Sequence, residues 1–332
     1  MRSIVITRPG GPEVLELRDT PAPEPGRGEV RVRVRATAVN RADLLQRMGA
    51  YPAPPDVPAD VPGLEFAGVV DALGEGARDV AVGDRVFGLT GGGAYAELVV
   101  THARALARIP DCLSFDQAAA VPEAFITAYD GMVTQAGLSA GETVLVHAVA
   151  SGVGTAAVQI ARAIGARCIG TSRTKEKLVR AKELGMAEGV VAEGGRFADA
   201  VLRASSGRGA DVILELVGGN YLAEDLACAA PRARIVLVGL LAGGRAELDL
   251  GLILRKRLTV VGTVLRSRPL EEKIDAMQRF ARHVVPLLAS AQLVPVVELV
   301  LPLSRAAEAH ARMAGSEGFG KIVLSVDGPA LA

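Results

Sequence analysis

Between residues 143 and 184 the sequence runs twice from a short apolar strand into a helix-length amphipathic segment. Thr143-Val144-Leu145-Val146-His147 leads into 154–164, and Arg167-Cys168-Ile169-Gly170 leads into 175–184. Apolar runs this short, each followed by a segment of helical period, predict parallel strands joined by crossover helices. The pattern continues at Asp211-Val212-Ile213-Leu214-Glu215, Arg234-Ile235-Val236-Leu237-Val238 and Leu258-Thr259-Val260-Val261. Repeated units of this size predict a parallel sheet covered by helices on both faces.

The first third reads differently. Val30-Arg31-Val32-Arg33-Val34 alternates, and short β-like runs follow at 66–70, 84–88 and 95–100, punctuated by Pro and Gly. Their spacing predicts a compact β barrel. Tyr51-Pro52-Ala53-Pro54-Pro55-Asp56-Val57-Pro58 is expected to be an exposed loop, because proline lacks the donor proton and fixes φ. After the βα region come a helical stretch near 270–288 and strands at 294–301 and 321–326, which predict a return to the first domain. A chain of 332 residues has room for two cores. The expected domains are 1–122 with 266–332, and 123–265.

Thirty-seven basic residues balance thirty-seven acidic ones, so nothing pulls the chain generally toward nucleic acid or an anionic membrane. No apolar run is long enough for a signal-peptide core or a bilayer span, and a cytoplasmic location is expected. Cys112, Cys168 and Cys228 lie far apart and form no ligand cluster, which predicts free thiols.

His147-Ala148-Val149-Ala150-Ser151-Gly152-Val153-Gly154 sits between a buried-type strand and an amphipathic helix. There, free amides and the positive end of the helix dipole hold a dinucleotide pyrophosphate. The spacing is a degenerate relative of GxGxxG, with Val149 and Ser151 at its first two glycine positions. NAD-binding folds place Asp or Glu about twenty residues beyond the turn, on the ribose hydroxyls. Here the stretch is Gly170-Thr171-Ser172-Arg173-Thr174-Lys175-Glu176-Lys177. A carboxylate would repel a 2'-phosphate, whereas Ser172, Arg173 and Lys177 donate to one, which predicts NADPH over NADH.

The chain resembles the zinc-free quinone oxidoreductases of the medium-chain dehydrogenase/reductase superfamily, in the subfamily related to the tumour-suppressor-inducible quinone reductase. The resemblance runs over essentially the full length. It is carried by Asn40-Arg41-Ala42-Asp43-Leu44-Leu45-Gln46-Arg47 with Gly49 and Tyr51, by Gly63-Leu64-Glu65, and by Pro122-Glu123-Ala124-Phe125-Ile126-Thr127-Ala128. Further markers are Ser151-Gly152-Val153-Gly154-Thr155-Ala156-Ala157, Val264-Leu265-Arg266-Ser267-Arg268 and Gly320-Lys321-Ile322-Val323-Leu324. It implies an α/β chain with a GroES-like β-barrel catalytic domain, made from both chain ends, and an inserted Rossmann doubly wound parallel sheet. The cofactor is implied to lie in the cleft, with Asn40 and Thr127 near the nicotinamide and its ribose, and with Ser151, Gly152, Val153 and Gly154 on the pyrophosphate. Gly239, Leu240, Leu241, Leu265 and Arg266 are implied to line the nicotinamide pocket from the Rossmann side, and Gly320 and Lys321 to close it from the tail. Relatives often carry a tyrosine near Ala192 that stacks by the adenine; this chain has none there.

Zinc-dependent relatives hold a metal with Cys at the position of Asn40, His at that of Leu64 and a further Cys near Glu123. Asn40 and Leu64 are not ordinary zinc ligands, and a lone carboxylate is insufficient, so no metal is expected. Ala42 stands where those relatives carry a relay hydroxyl. Without a Lewis acid, simple alcohols lack their principal assistance. A quinone or enone spreads the arriving charge by conjugation, so positioning against the dihydronicotinamide supplies much of the catalysis. The expected activity is an NADPH:quinone oxidoreductase, without metal or flavin. An enone or 2-alkenal reductase, or a mainly non-catalytic nucleotide-binding protein, are the alternatives.

Tyr51 is the side chain expected to orient or protonate the acceptor. His147 and Glu65 are read as structural. His102, His283 and His310 have no ligand spacing. No dedicated nucleic-acid binding is expected, and 258–264 offers a sheet edge for a homodimer.

Overall fold

The computed structural model describes residues 1–326. They form two compact units, one made of residues 1–126 and of the chain from Leu265 onward, the other of Thr127–Val264.

In the second unit six strands, all parallel, form one sheet. With Thr143–Val146 as the first strand of the unit, the order across the sheet is third, second, first, fourth, fifth, sixth. Every residue of Thr143–Val146 and of Ala210–Glu215 is buried, as befits central strands covered on both faces. The order reverses between these two strands, and crevices at such a switch point, beyond the carboxyl ends of the strands, are where open α/β sheets bind ligands. The sixth strand, Thr259–Gly262, is an edge and mostly exposed.

The first unit is built on a seven-stranded sheet in which Glu29–Ala38 pairs with Glu65–Leu73, Leu98–His102 and the C-terminal Lys321–Ser325. Val30, Val32 and Val34 all point into its core with Phe66, Tyr95 and Leu324, so the alternation read from the sequence reflects a half-buried strand. Both chain ends thus contribute to one barrel-like unit.

Two local expectations differ from what is observed, and one element had none. The strand expected at 95–100 begins only at Leu98, because the backbone of Tyr95 bonds instead to Ile4 and Pro62. The stretch near 270–288 breaks into Leu270–His283 and Val285–Ala289, where Pro286 has no N–H to continue the ladder. Arg41–Arg47 is a helix that apolar periodicity did not announce.

Candidate functional site

In the α/β unit the strand Thr143–Val146 turns through Ala148, whose φ is +45°, into the helix Gly152–Ile164. Ser151 caps the helix, its hydroxyl accepting the Gly154 N–H at 3.0 Å. Helix geometry leaves the Gly152 and Val153 amides without intrahelical acceptors. A Cβ on Gly154 would stand 2.6 Å from Ala148 O and from Val149 Cα. Only glycine therefore lets helix and turn close to the distance a pyrophosphate cradle needs.

Ser172 ends the second strand and is buried, Arg173 after it is exposed, and Lys177 lies in the first turn of the helix Lys175–Glu183. Thr127 belongs to the helix Pro122–Tyr129. Gly239, Leu240 and Leu241 follow the fifth strand, and both leucines are more than half exposed, an apolar surface at the ligand end of the sheet. That loop is pinned by the Ala242 N–H to Val217 O and by the Gly219 N–H to Gly243 O. Tyr221, unmarked in the sequence, packs on Phe197 and His147 and lies against Gly195, close to where relatives carry a tyrosine. Together the turn, the carboxylate-free strand end and the exposed leucines fit a dinucleotide.

Beneath this surface three strand ends meet in a buried cluster. His147 Nδ1 is 2.8 Å from the Thr171 hydroxyl and Nε2 is 2.8 Å from Asp225 Oδ1, while Glu215 Oε2 lies 3.7 Å from Nε2. None of the three is exposed. Glu215 Oε1 accepts the Val217 and Gly218 amides, which leaves Glu215 Oε2 and Asp225 Oδ2 without donors. Among the described residues this is the one grouping of His, Cys, Asp and Glu close enough to hold a metal. A proton satisfies the orphan oxygens equally well: burial pushes Glu215 up to about 8 and Asp225 to about 7, and lowers His147 to about 4. The expectation that His147 is structural had a simple signal, a histidine closing a buried strand; its carboxylate partners did not.

The barrel unit holds a second polar network. Asn40 precedes the helix Arg41–Arg47, and its N–H donates to Asp43 Oδ2 at 2.8 Å. The Asn40 amide donates to Glu65 Oε1 at 2.8 Å and accepts from Lys321 Nζ at 2.6 Å. Lys321 also donates to Val39 O and to Glu65 Oε1, so all three of its protons are committed within the protein. Glu65 Oε2 accepts the Glu123 N–H at 2.8 Å. Gly320, next to Lys321, has φ of +101°, with Val296 backbone where a Cβ would stand.

Asp43 links this network to a buried chain. Arg47 donates to His310 Nδ1, and His310 Nε2 lies 3.2 Å from the Tyr95 hydroxyl, which donates to Asp43 Oδ2. That direction requires the Nε2–H tautomer, neutral as expected when burial drops His310 to about 3. Burial pushes Asp43 up to about 6, against donors from Asn40 and Gly63.

Leu265 and Arg266 fall in the barrel unit and not in the Rossmann unit. Arg266 is buried and donates to Gly91 O, Gln46 Oε1 and Tyr51 O, with its guanidinium 5.0 Å over the Tyr51 ring. It fixes the proline-rich loop and so sets where Tyr51 stands. Burial raises the Tyr51 hydroxyl, with Arg266 opposing. Sequence reasoning named Asn40, Tyr51, Arg266 and Lys321 as candidates, but did not connect Asp43, Tyr95 and His310, whose links span 52 and 215 positions.

Comparison with known proteins shows what the chain as a whole is similar to. Residues 26–111 match the family "Alcohol dehydrogenase GroES-like domain", and 152–282 match "Zinc-binding dehydrogenase". The chain is 34% identical to human quinone oxidoreductase over 98% of its length and 97% of that protein's. A crystal structure of an NAD-dependent alcohol dehydrogenase is 36% identical, with a TM-score of 0.88 over 98% of this chain and all of that one. Escherichia coli quinone oxidoreductase complexed with NADPH is 28% identical, with a TM-score of 0.87 and the same coverage.

Proposed function

The chain belongs to the quinone oxidoreductase family of the medium-chain dehydrogenases/reductases, and from that premise we propose that it is an NADPH-dependent quinone reductase acting by direct hydride transfer. The observation that carries the reading is the chemistry at the positions where zinc-dependent relatives bind metal. Leu64 there is apolar and buried, and the Asn40 amide is committed to Glu65 and Lys321. A site with that donor set suits an acceptor that needs no Lewis acid.

NADPH, when bound, supplies the hydride. The residues of the chain bind, orient and shield. The Gly152 and Val153 amides and the helix dipole answer the pyrophosphate, and Ser151 keeps that turn capped. Ser172, Arg173 and Lys177 answer a 2'-phosphate. On the α/β unit Thr127, Gly239, Leu240 and Leu241 serve the nicotinamide half of the cofactor; on the barrel unit Asn40, Leu265 and Gly320 do so, and Tyr51 orients the acceptor oxygen. Lys321 and Arg266 act by holding Asn40 and Tyr51 in place. A homodimer joined along Thr259–Gly262 is part of the same proposal.

Purified protein is expected to oxidise NADPH with 1,2-naphthoquinone and to keep that activity after chelation. No turnover across a panel of quinones would remove the reading, and faster saturation of the double bond of a 2-alkenal would replace it with enone reduction. Arg173→Ala is expected to raise KM for NADPH about tenfold, by loss of a charge-assisted contact to phosphate, and to leave KM for NADH unchanged. Equal effects on both cofactors would refute the phosphate contact.

A further inference from the structure

Three carboxyl groups surround the Asn40 network of the barrel unit, and they are not equivalent. Asp43 accepts from the Asn40 N–H, the Gly63 N–H and the Tyr95 hydroxyl. Glu65 accepts from Asn40, Lys321 and the Glu123 N–H. Glu123 gives its amide to Glu65, yet among the described residues its own carboxyl receives no donor, and the residue is partly exposed.

Glu65, Lys321, Asp43 and Arg266 act electrostatically on Glu123, whose backbone N–H is held by Glu65, and its own charge acts in turn on the Tyr51 hydroxyl. Two of these are like charges. The two cations are already committed, Lys321 to Glu65, Asn40 and Val39, and Arg266 to Gln46, Gly91 and Tyr51. A carboxyl with repelling neighbours, spent counter-ions and no hydrogen-bond donors keeps its proton.

We propose that Glu123 is the proton donor of the reaction, a carboxylic acid that protonates the oxygen of the reduced acceptor; the proposal rests on the quinone reductase reading above. The C–H bond of the reduced dinucleotide breaks as its hydride forms an O–H bond at one quinone oxygen, and the electron pair displaced from the quinone π system collects on the other oxygen. The Glu123 O–H bond then breaks as an O–H bond forms on that oxygen, leaving a carboxylate and a hydroquinone. Water, which reaches this partly exposed residue, returns the proton. Desolvation and the Glu65 charge raise Glu123 to about 8, so the acid form predominates at neutral pH. Burial moves Tyr51 upward from a phenol's already high range, which makes it the weaker acid of the two and leaves it the orienting role.

Glu123→Gln keeps the size of the side chain and the N–H to Glu65 while removing the proton. With a quinone as acceptor, wild-type kcat is expected to be flat at neutral pH and to fall as pH rises through about 8. The Gln variant is expected to lose about 10²-fold in kcat, the lower end of what a positioned acid supplies, and to lose the alkaline limb. KM for NADPH is expected to hold, and Glu123→Asp to restore part of the rate. A readout independent of turnover is the carboxyl ¹³C titration of ligand-free protein, with Glu123 assigned by its disappearance in the Gln variant and expected near 8. Titration in the ordinary carboxylate range, or a Gln variant with full rate and an unchanged alkaline limb, would overturn the assignment alone. A wild type inactive on every quinone would overturn the reading beneath it as well.

Discussion

Glu65 has no contact with water, and a carboxylate so placed is tolerated only when every oxygen has a donor. Lys321 supplies the counter-charge from the far end of the chain, 256 positions away, and is itself only 4% exposed. Removing one member of such a pair strands the other, which typically costs about 3–5 kcal/mol. Lys321→Met is therefore expected to lower unfolding free energy by about that amount in urea titrations, and Glu65→Gln added to it is expected to recover more than half. Double-variant stability no better than the single variant would show that Lys321 acts through packing of its methylenes and not through charge. The individual residues were legible in the sequence as family markers, but their pairing was not. A lysine in the last strand and a glutamate after a glycine turn carry no local pattern that announces an ion pair.

Elements meet in the His147 cluster, where the ends of Thr143–Val146, Arg167–Ser172 and Ala210–Glu215 and the helix Tyr221–Cys228 share one set of protons. Glu215 and Asp225 bind protons more tightly folded than unfolded, so across the range from their ordinary values to about 8 and about 7 respectively stability falls as pH rises. His147 has the opposite sign: its folded value is depressed to about 4, so its contribution is lost as pH falls from about 6.5 toward 4. Above about pH 6.5 only the carboxyl slope remains. Asp225→Asn is expected to narrow or reverse its Tm difference from wild type progressively between about pH 6.5 and 8.5, favouring the variant at the alkaline end. A difference that stays constant across that window would mean that Asp225 is not sharing a titrating proton. The strands in this region were readable because buried parallel strands are continuous apolar runs, and the phosphate turn because strand, Ser-Gly-Val-Gly and helix follow in fixed order. The helix Arg41–Arg47 was not readable: only Leu44 among its apolar side chains is fully buried, so its stability comes from Asp43 at its start and from partners elsewhere in the chain.

At the scale of the whole molecule, the parallel sheet ends in a strand that pairs on one side only, Thr259–Gly262, with three of its four residues exposed. The helix leading into it, Leu250–Lys256, has no fully buried residue and leaves Leu250 70% and Leu254 77% exposed. Val260 and Val264 continue the apolar surface. An open sheet edge bordered by exposed aliphatic side chains is unfavourable in an isolated chain. The proposed homodimer would resolve it by antiparallel pairing of the two edges about a twofold axis, each copy presenting the same surface. Stable association asks for on the order of 800 Å² from each partner, which requires the leucines as well as the strand. Light scattering is accordingly expected to give twice the monomer mass, and Leu254→Arg with Val260→Lys to shift the protein to monomer. Because the proposed contact lies on the α/β unit and the proposed proton donor on the barrel unit, that monomer is expected to keep the alkaline limb of kcat near pH 8. A wild type that runs as a monomer at micromolar concentration would remove the edge pairing, and the exposed leucines would then need another partner.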